Sequence, residues 1–214
     1  TLRGLDIELA HGLAEALEVP LRFDRRAPTF NAVIDEIAKG EADVAVCKLS
    51  RTLARATRIR FSTPYLTFHH ALAINRLRFA DLAHGRELAA VIRHFTGSIG
   101  VIEQSSFADF AARNFPKAKL VRLHDWNAVV GALKRGDITA AYRDEFEINC
   151  LLKSDPRMAL TLRSVTLTDT EDSLGIAVAP GDHQLLALID LYLSQRTDKL
   201  TIDKVMKRFD EARR

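Results

Sequence analysis

Side chains able to hold a polar ligand follow three short apolar runs of the sequence. Residues 47–55 include a thiol, a lysine, a serine and two arginines, residues 103–106 a glutamate and two serines, and residues 142–145 an arginine and two carboxylates. Each apolar run has the length and composition of a buried β-strand. Ligands of α/β proteins bind outside the carboxyl ends of such strands. These three segments are therefore the candidate site.

No motif of the common enzymes or metal sites occurs in the sequence. Its seven histidines form no HExxH pair and accompany no cysteine pair, and the patterns GxGxxG, GxxxxGK[ST] and GxSxG are absent. We therefore expect no metal, no cofactor and no catalytic residue. Asp137, Asp144 and Glu145 stay open as reactive carboxylates, because a sequence does not show which groups meet in space.

The composition is that of a globular protein, and it excludes several classes of partner. The 214 residues are 47% hydrophobic, and 31 basic against 28 acidic side chains give a net charge of +3. The basic residues are spread along the chain, which argues against binding to nucleic acid. No apolar run approaches the ~20 residues of a membrane helix. The two cysteines, Cys47 and Cys150, fit no redox or metal spacing, so we expect free thiols.

Helical and extended patterns alternate along the chain. Apolar spacing and capping residues predict helices at 5–17, 29–39, 81–94, 105–114, 126–134, 145–152, 182–196 and 200–211. Short strands are predicted at 21–24, 43–47, 59–61, 70–74, 98–102, 119–122, 138–142 and 174–178. Asp6 is the expected N-cap of the first helix. The strand–helix order occurs before residue 75 and again after residue 97, which predicts two α/β units with mostly parallel sheets.

Six segments in register carry a resemblance that covers nearly the whole chain. They are GLDIELA at 4–10, FNAVIDEIAKGEADVAVC at 30–47, SRTLARATRIRFSTPY at 50–65, GVIEQSS at 100–106, GDITAAYRDE at 136–145 and DKLTIDKVMKRF at 198–209. Together they resemble the family 3 periplasmic solute-binding proteins, the amino-acid receptors of ABC importers. The resemblance implies an α/β, two-lobed periplasmic-binding-protein-like fold of type 2, each lobe a mixed, mostly parallel sheet with flanking helices. Lobe 1 would comprise residues 1–74 with 175–214, and lobe 2 residues 75–174.

The resemblance also implies a ligand-binding role for particular residues. Arg55 matches the arginine that holds the ligand's α-carboxylate, and Ser50 the hydroxyl that contacts its amino and carboxylate groups. Ser106, at a helix start, matches the carboxylate clamp of the second lobe. Asp144 matches the carboxylate that pairs with the ligand's ammonium group. Phe30 matches an aromatic ring that packs over the ligand's aliphatic part.

Several positions depart from the family pattern. Lys48 stands where the family has a small residue, Arg51 replaces a hydrophobic residue, and Arg143 directly precedes the matched carboxylate. These added cations favour an acidic amino acid or a related dicarboxylate as ligand, because a buried charge needs a partner. Gln104 stands in place of a glycine. Cys47 and Ser105 flank the matched residues and complete the expected ligand-binding set.

The implied function is transport without chemistry. We expect an extracytoplasmic or periplasmic monomer that captures a small amino acid between two closing lobes and delivers it to a membrane transporter permease. One alternative is the ligand-binding module of a larger membrane transporter or sensor. The other is an enzyme similar to cyclohexadienyl dehydratase, using Glu103, Asp144 or Glu145. The chain begins at Thr1, and against the family it is expected to lack the first strand of lobe 1. Residues 81–96 are expected to form an extra helix.

Overall fold

The computed structural model describes residues 2, 4–198 and 200–212, which fold into two compact units. The first unit runs up to Thr67 and resumes at Asp172, and the second comprises Phe68 to Glu171. In chain order the elements are α1 (Leu5–Ala16), α2 (Phe30–Lys39), β1 (Val44–Ala45), α3 (Leu53–Ala56), β2 (Arg60–Phe61), β3 (Leu66–Asn75), α4 (Arg76–Ala83), α5 (Leu88–Arg93), β4 (Ser98–Ile102), α6 (Ser106–Asn114), β5 (Lys119–Leu123), α7 (Trp126–Arg135), β6 (Ala140–Asp144), α8 (Glu145–Ser154), α9 (Met158–Thr161), β7 (Leu162–Leu174), β8 (Ala177–Val178), α10 (His183–Gln195) and α11 (Ile202–Ala212).

The first unit contains a small sheet of order β1-β8-β2. Both strand pairs are antiparallel, which differs from the mostly parallel sheet that the sequence predicted for this unit. The strand predicted at residues 21–24 is also absent, because that segment pairs with no strand among the described residues and β1 lies at the sheet edge. Helix α2 matches its prediction: the Thr29 side chain caps its start, and Gly40 ends it with a φ of 72°.

The second unit contains a five-stranded sheet of order β5-β4-β6-β3-β7. Strand β4 is parallel to β5 and to β6, while β3 runs antiparallel to β6. Side chains of a strand point alternately to the two faces of its sheet. Accordingly, Leu72 and Ile74 of β3 pack in one core with α6, whereas Ala71 and Ala73 pack in another with α7. The sheet is thus covered on both faces by helices.

Two segments of the second unit differ from expectation. The helix predicted at 81–94 is divided into α4 and α5, because His84 and Gly85 both adopt positive φ values, 46° and 78°. Strand β7 was missed. Its sequence is polar and its burial alternates irregularly, since it lies at the edge of the sheet. No described helix is both long and apolar enough to cross a membrane.

Candidate functional site

The predicted site residues fall into two clusters, one in each unit. The Arg55 cluster, in the first unit, consists of Phe30, Cys47, Lys48, Ser50 and Arg55. The Asp144 cluster, in the second unit, consists of Ser105, Ser106 and Asp144. Phe30 and Ser106 begin helices, Ser105 and Asp144 are N-caps, and Arg55 lies within the short helix α3. The other three residues, Cys47, Lys48 and Ser50, lie in the loop after β1.

Arg55 is fixed by its backbone and by its guanidinium group. Its backbone N–H donates to Oγ1 of Thr52, which caps the short helix α3. The guanidinium Nη1 donates to the carbonyl oxygen of Ser50 at 3.0 Å, and Cζ lies 5.9 Å from the centre of the Phe30 ring. Only 8% of Arg55 is exposed. A planar guanidinium held in this way can donate paired hydrogen bonds to a carboxylate.

Ser50 depends on a residue that sequence reasoning missed. Its Oγ donates to Oδ2 of Asp172 at 2.9 Å, and both residues are 3% exposed. The backbone of Ser50 also forms a bridge to Leu174. Asp172 belongs to no recognisable motif and lies 122 residues away in sequence, so no local signal could have identified it.

The loop after β1 is held by a carboxylate from helix α1. Asp6 is not the N-cap of α1, which is Gly4. Instead its Oδ1 accepts the hydroxyl of Tyr65 at 2.9 Å. Burial raises the pKa of Asp6, and the hydrogen bonds from Tyr65 and from the backbone of Lys48, together with the Lys48 charge, counteract that rise. Burial, followed by the charge and hydrogen bond of Asp6, raises the pKa of Tyr65 well above its ordinary value.

Cys47 and Lys48 occupy this same loop. Burial and the charge of Asp6 raise the pKa of Cys47 to about 12, so its thiol stays protonated and is a poor nucleophile. Lys48 has a φ of 53°, a left-handed conformation that favours glycine. That conformation gives a backbone reason for the small residue expected at this position.

The Asp144 cluster includes the start of helix α6. Ser105 caps the helix: its Oγ accepts the N–H of Ala108 at 3.3 Å and donates to the carbonyl of Ile102 at 2.6 Å. Ser106 is the first helical residue and is 6% exposed. The free N–H groups of a helix N-terminus favour a bound anion. The preceding Gln104 has a φ of 54°, consistent with the glycine that it replaces.

Asp144 is the most deeply buried charged residue of the two clusters, at 1% exposure. It caps helix α8, where its Oδ1 accepts the N–H of Glu147 at 3.0 Å. It lies opposite His70 in the β3–β6 ladder. Burial lowers the pKa of His70 to about 4, and a ring nitrogen of His70 is hydrogen-bonded to the hydroxyl of Tyr142. A neutral histidine therefore lies beside the carboxylate at neutral pH.

Arg143 lies against the same carboxylate. Its Nε is 3.5 Å from Oδ2 of Asp144, and its Cζ lies 6.0 Å from the Phe107 ring centre and 5.7 Å from that of Trp126. The two aromatic residues have no place in the predicted site. Both lie in predicted helices, where an aromatic residue indicates an ordinary core position. Only the structure associates them with Arg143.

The two clusters carry fixed groups of opposite charge. The described residues contain no group of three or more histidine, cysteine or acidic side chains able to hold a metal ion. A buried guanidinium, a buried carboxylate and a helix N-terminus are groups that bind the charged ends of a small zwitterion.

The family of the chain follows from its whole sequence. The sequence model of the bacterial extracellular solute-binding proteins, family 3, matches residues 1–211. The chain belongs to this family. The resemblance carried by the six motifs is therefore confirmed, and so is the two-lobed α/β fold that it implied.

Known relatives agree with this assignment. This family 3 protein is 26% identical over 190 residues to ABC transporter arginine-binding protein 1 of Escherichia coli (strain K12), covering 86% of this chain and 71% of the relative. The structure of an ancestral arginine-binding protein bound to arginine matches 97% of this chain and 88% of that chain, with 23% identity and a TM-score of 0.78. An ancestral amino acid-binding protein that is a precursor of cyclohexadienyl dehydratase matches 95% of this chain and 83% of that chain, with 22% identity and a TM-score of 0.74.

The expected preference for an acidic ligand is not supported. That expectation counted Lys48, Arg51 and Arg143 as surplus cations. In the structure of this solute-binding protein, the charge of Lys48 acts on Asp6, and Arg143 is paired with Asp144. Arg51 is exposed, and its aliphatic stem lies where a β-carbon on residue 175 would stand, so it packs over the backbone. Two of the three cations are thus balanced within their own unit.

Proposed function

We propose that this protein is the amino-acid-binding component of an ABC importer, that it acts in the periplasm, and that its ligand is a cationic amino acid such as arginine. The observation that carries the proposal is the pair of buried, oppositely charged groups, Arg55 and Asp144, each held by hydrogen bonds within its own unit. An α-amino acid has one carboxylate and one ammonium group, which are the complements of these two side chains.

Each predicted residue has a part in this proposal. Arg55 and the N–H groups at Ser106 bind the α-carboxylate, while Asp144 and the hydroxyl of Ser50 bind the α-ammonium group. Phe30 packs over the aliphatic part of the ligand. The remaining three members, Cys47, Lys48 and Ser105, shape the loops that carry these groups.

The cationic side chain is supported by two relatives whose names specify arginine, and by the balance of charge in the site. Because Lys48 and Arg143 already have carboxylates near them, a ligand need not supply a second anion. The acidic side chain of a ligand would have to compete with these carboxylates for Lys48 and Arg143.

Calorimetry on the purified protein, unfolded and refolded to remove any co-purified ligand, tests the proposal directly. Titration with each of the twenty amino acids should give the tightest binding for arginine or lysine. Tighter binding of glutamate or aspartate would contradict the cationic ligand, and binding of none of the twenty amino acids would contradict the function itself.

Two further measurements check the parts of the proposal that calorimetry does not reach. Small-angle scattering should show compaction when arginine is added, and the molar mass from the same curve should be that of a monomer. Incubation with prephenate or arogenate should give no turnover, because binding and release involve no bond-breaking step. Robust turnover would replace the transport proposal by an enzymatic one.

A further inference from the structure

Arg143 is a largely buried cation that lies beside the carboxylate of Asp144. Its side chain is only 12% exposed, its guanidinium lies over the rings of Phe107 and Trp126, and its Nε is 3.5 Å from Oδ2 of Asp144. That distance is an ion-pair separation and is longer than a hydrogen bond. Within the described part of the chain, the buried Nε has no hydrogen-bond acceptor. The guanidinium is therefore placed by aromatic packing and by charge, and not by a bidentate hydrogen bond.

This arrangement has an energetic consequence for Asp144. A carboxylate with 2% of its side chain exposed is costly unless a cation lies near it. Arg143 supplies that cation within the same unit, and the flanking rings favour its position through cation–π attraction. Any second cation that approaches Asp144 then has to share the carboxylate, and it is also repelled by the guanidinium.

We propose that Arg143 is an internal counterion that lowers the affinity for the ligand by pairing with Asp144 when no ligand is bound. The inference rests on the proposed role of Asp144 as the partner of the ligand's ammonium group. Arg143 stabilises the unliganded second unit, and the ligand's ammonium competes with it. Its effect is to weaken binding and so to ease release of the amino acid to the transporter.

Calorimetry and thermal melting of Arg143→Met test the proposal. Methionine keeps an aliphatic stem beside the two rings but removes the charge. We expect arginine to bind about fivefold more tightly to this variant than to the wild type, the size of effect that one partly screened charge pair produces. The unliganded variant should melt about 5 °C lower, because Asp144 loses its cation. Saturating arginine should remove most of that difference.

Two variants provide the controls. Arg113→Met removes another arginine of the same unit that lies over an aromatic ring, 5.2 Å from the centre of Phe110, and it should leave the affinity unchanged. Arg143→Lys retains the charge, should bind arginine within about twofold of the wild type, and serves as the test if the methionine variant does not fold.

The outcomes separate this inference from the proposed function. If the wild type binds arginine and Arg143→Met binds it equally or more weakly, the counterion role is overturned and the transport proposal stands. A clear loss of binding by Arg143→Lys would also overturn it, because it would make the planar guanidinium itself a ligand contact. If the wild type binds no amino acid, the proposed function fails first, whatever the variant does.

Discussion

The side chains of the Arg55 cluster are held by residues distant in sequence, whereas those of the Asp144 cluster are held by residues close to them in sequence. In the Arg55 cluster, Ser50 is bonded to Asp172, 122 residues away. The loop after β1 is held by Asp6, which accepts hydrogen bonds from the backbone of Lys48 and from the hydroxyl of Tyr65, 59 residues away. The Ser50–Asp172 contact exists only once the two chain segments of the first unit have come together, and the Asp6–Tyr65 contact joins distant residues of one of those segments. The geometry of this cluster therefore depends on the tertiary fold.

The Asp144 cluster is held by its nearest neighbours. Ser105 and Asp144 each cap the helix that follows them, through a hydrogen bond to a backbone N–H three residues on. Such bonds form with the helix itself and need no distant partner. The contrast indicates that the position of Arg55 should be the more sensitive to remote substitutions, and that of Asp144 the more robust.

The largest effect is expected from Arg55→Met, which removes the cation that the Arg55 cluster is built to present. Loss of a buried, hydrogen-bonded charge partner should weaken arginine binding by about 100-fold or more. Calorimetry measures this directly. Arg58→Met is the matched control, because Arg58 follows the same helix but pairs with Asp35 at the surface, and it should bind normally.

Asp144→Asn should weaken arginine binding by about 10- to 100-fold while leaving the fold intact. Asparagine caps a helix about as well as aspartate, so the substitution removes the charge and keeps the local hydrogen bond. Asp125→Asn makes the same exchange at the exposed cap of α7, where Oδ1 accepts the N–H of Ala128 at 2.7 Å, and should leave the affinity unchanged. If Asp144→Asn unfolds the protein, the cluster is less locally determined than its hydrogen bonds indicate.

The same contrast explains how well the sequence predicted each region. Helix α6 and helix α8 were located to within two residues at each end, because serine and aspartate caps are local signals. In the first unit, Asp6 was given the wrong partner and Asp172 was overlooked, because both act on residues far away in sequence. Strand β7 was missed for a related reason: an edge strand with polar side chains shows no regular apolar alternation.

Asp172→Asn should weaken arginine binding by about fivefold. We expect Asp172 to act by holding the Ser50 hydroxyl in position and not by contacting the ligand. An amide can still accept that hydrogen bond, but it no longer attracts the hydroxyl with a full charge. Ser173→Ala removes an exposed hydroxyl next in sequence, which contacts Thr67 at 3.2 Å, and should have no effect. Equal effects of the two variants would contradict the long-range support of the Arg55 cluster.

The smallest effect concerns the backbone before helix α6. Gln104 has a φ of 54°, whereas the adjacent Glu103 does not have a positive φ, and both side chains are exposed. Gln104→Gly should raise the free energy of unfolding by up to ~1 kcal/mol, because glycine adopts this conformation without a clash of its β-carbon. Glu103→Gly should lower the free energy of unfolding by a similar amount. At residue 103 glycine relieves no clash and only increases the conformational entropy of the unfolded chain. Urea denaturation of both variants measures the difference. If both variants are destabilised equally, the left-handed turn is not a source of strain, and the start of α6 is set by the Ser105 cap alone.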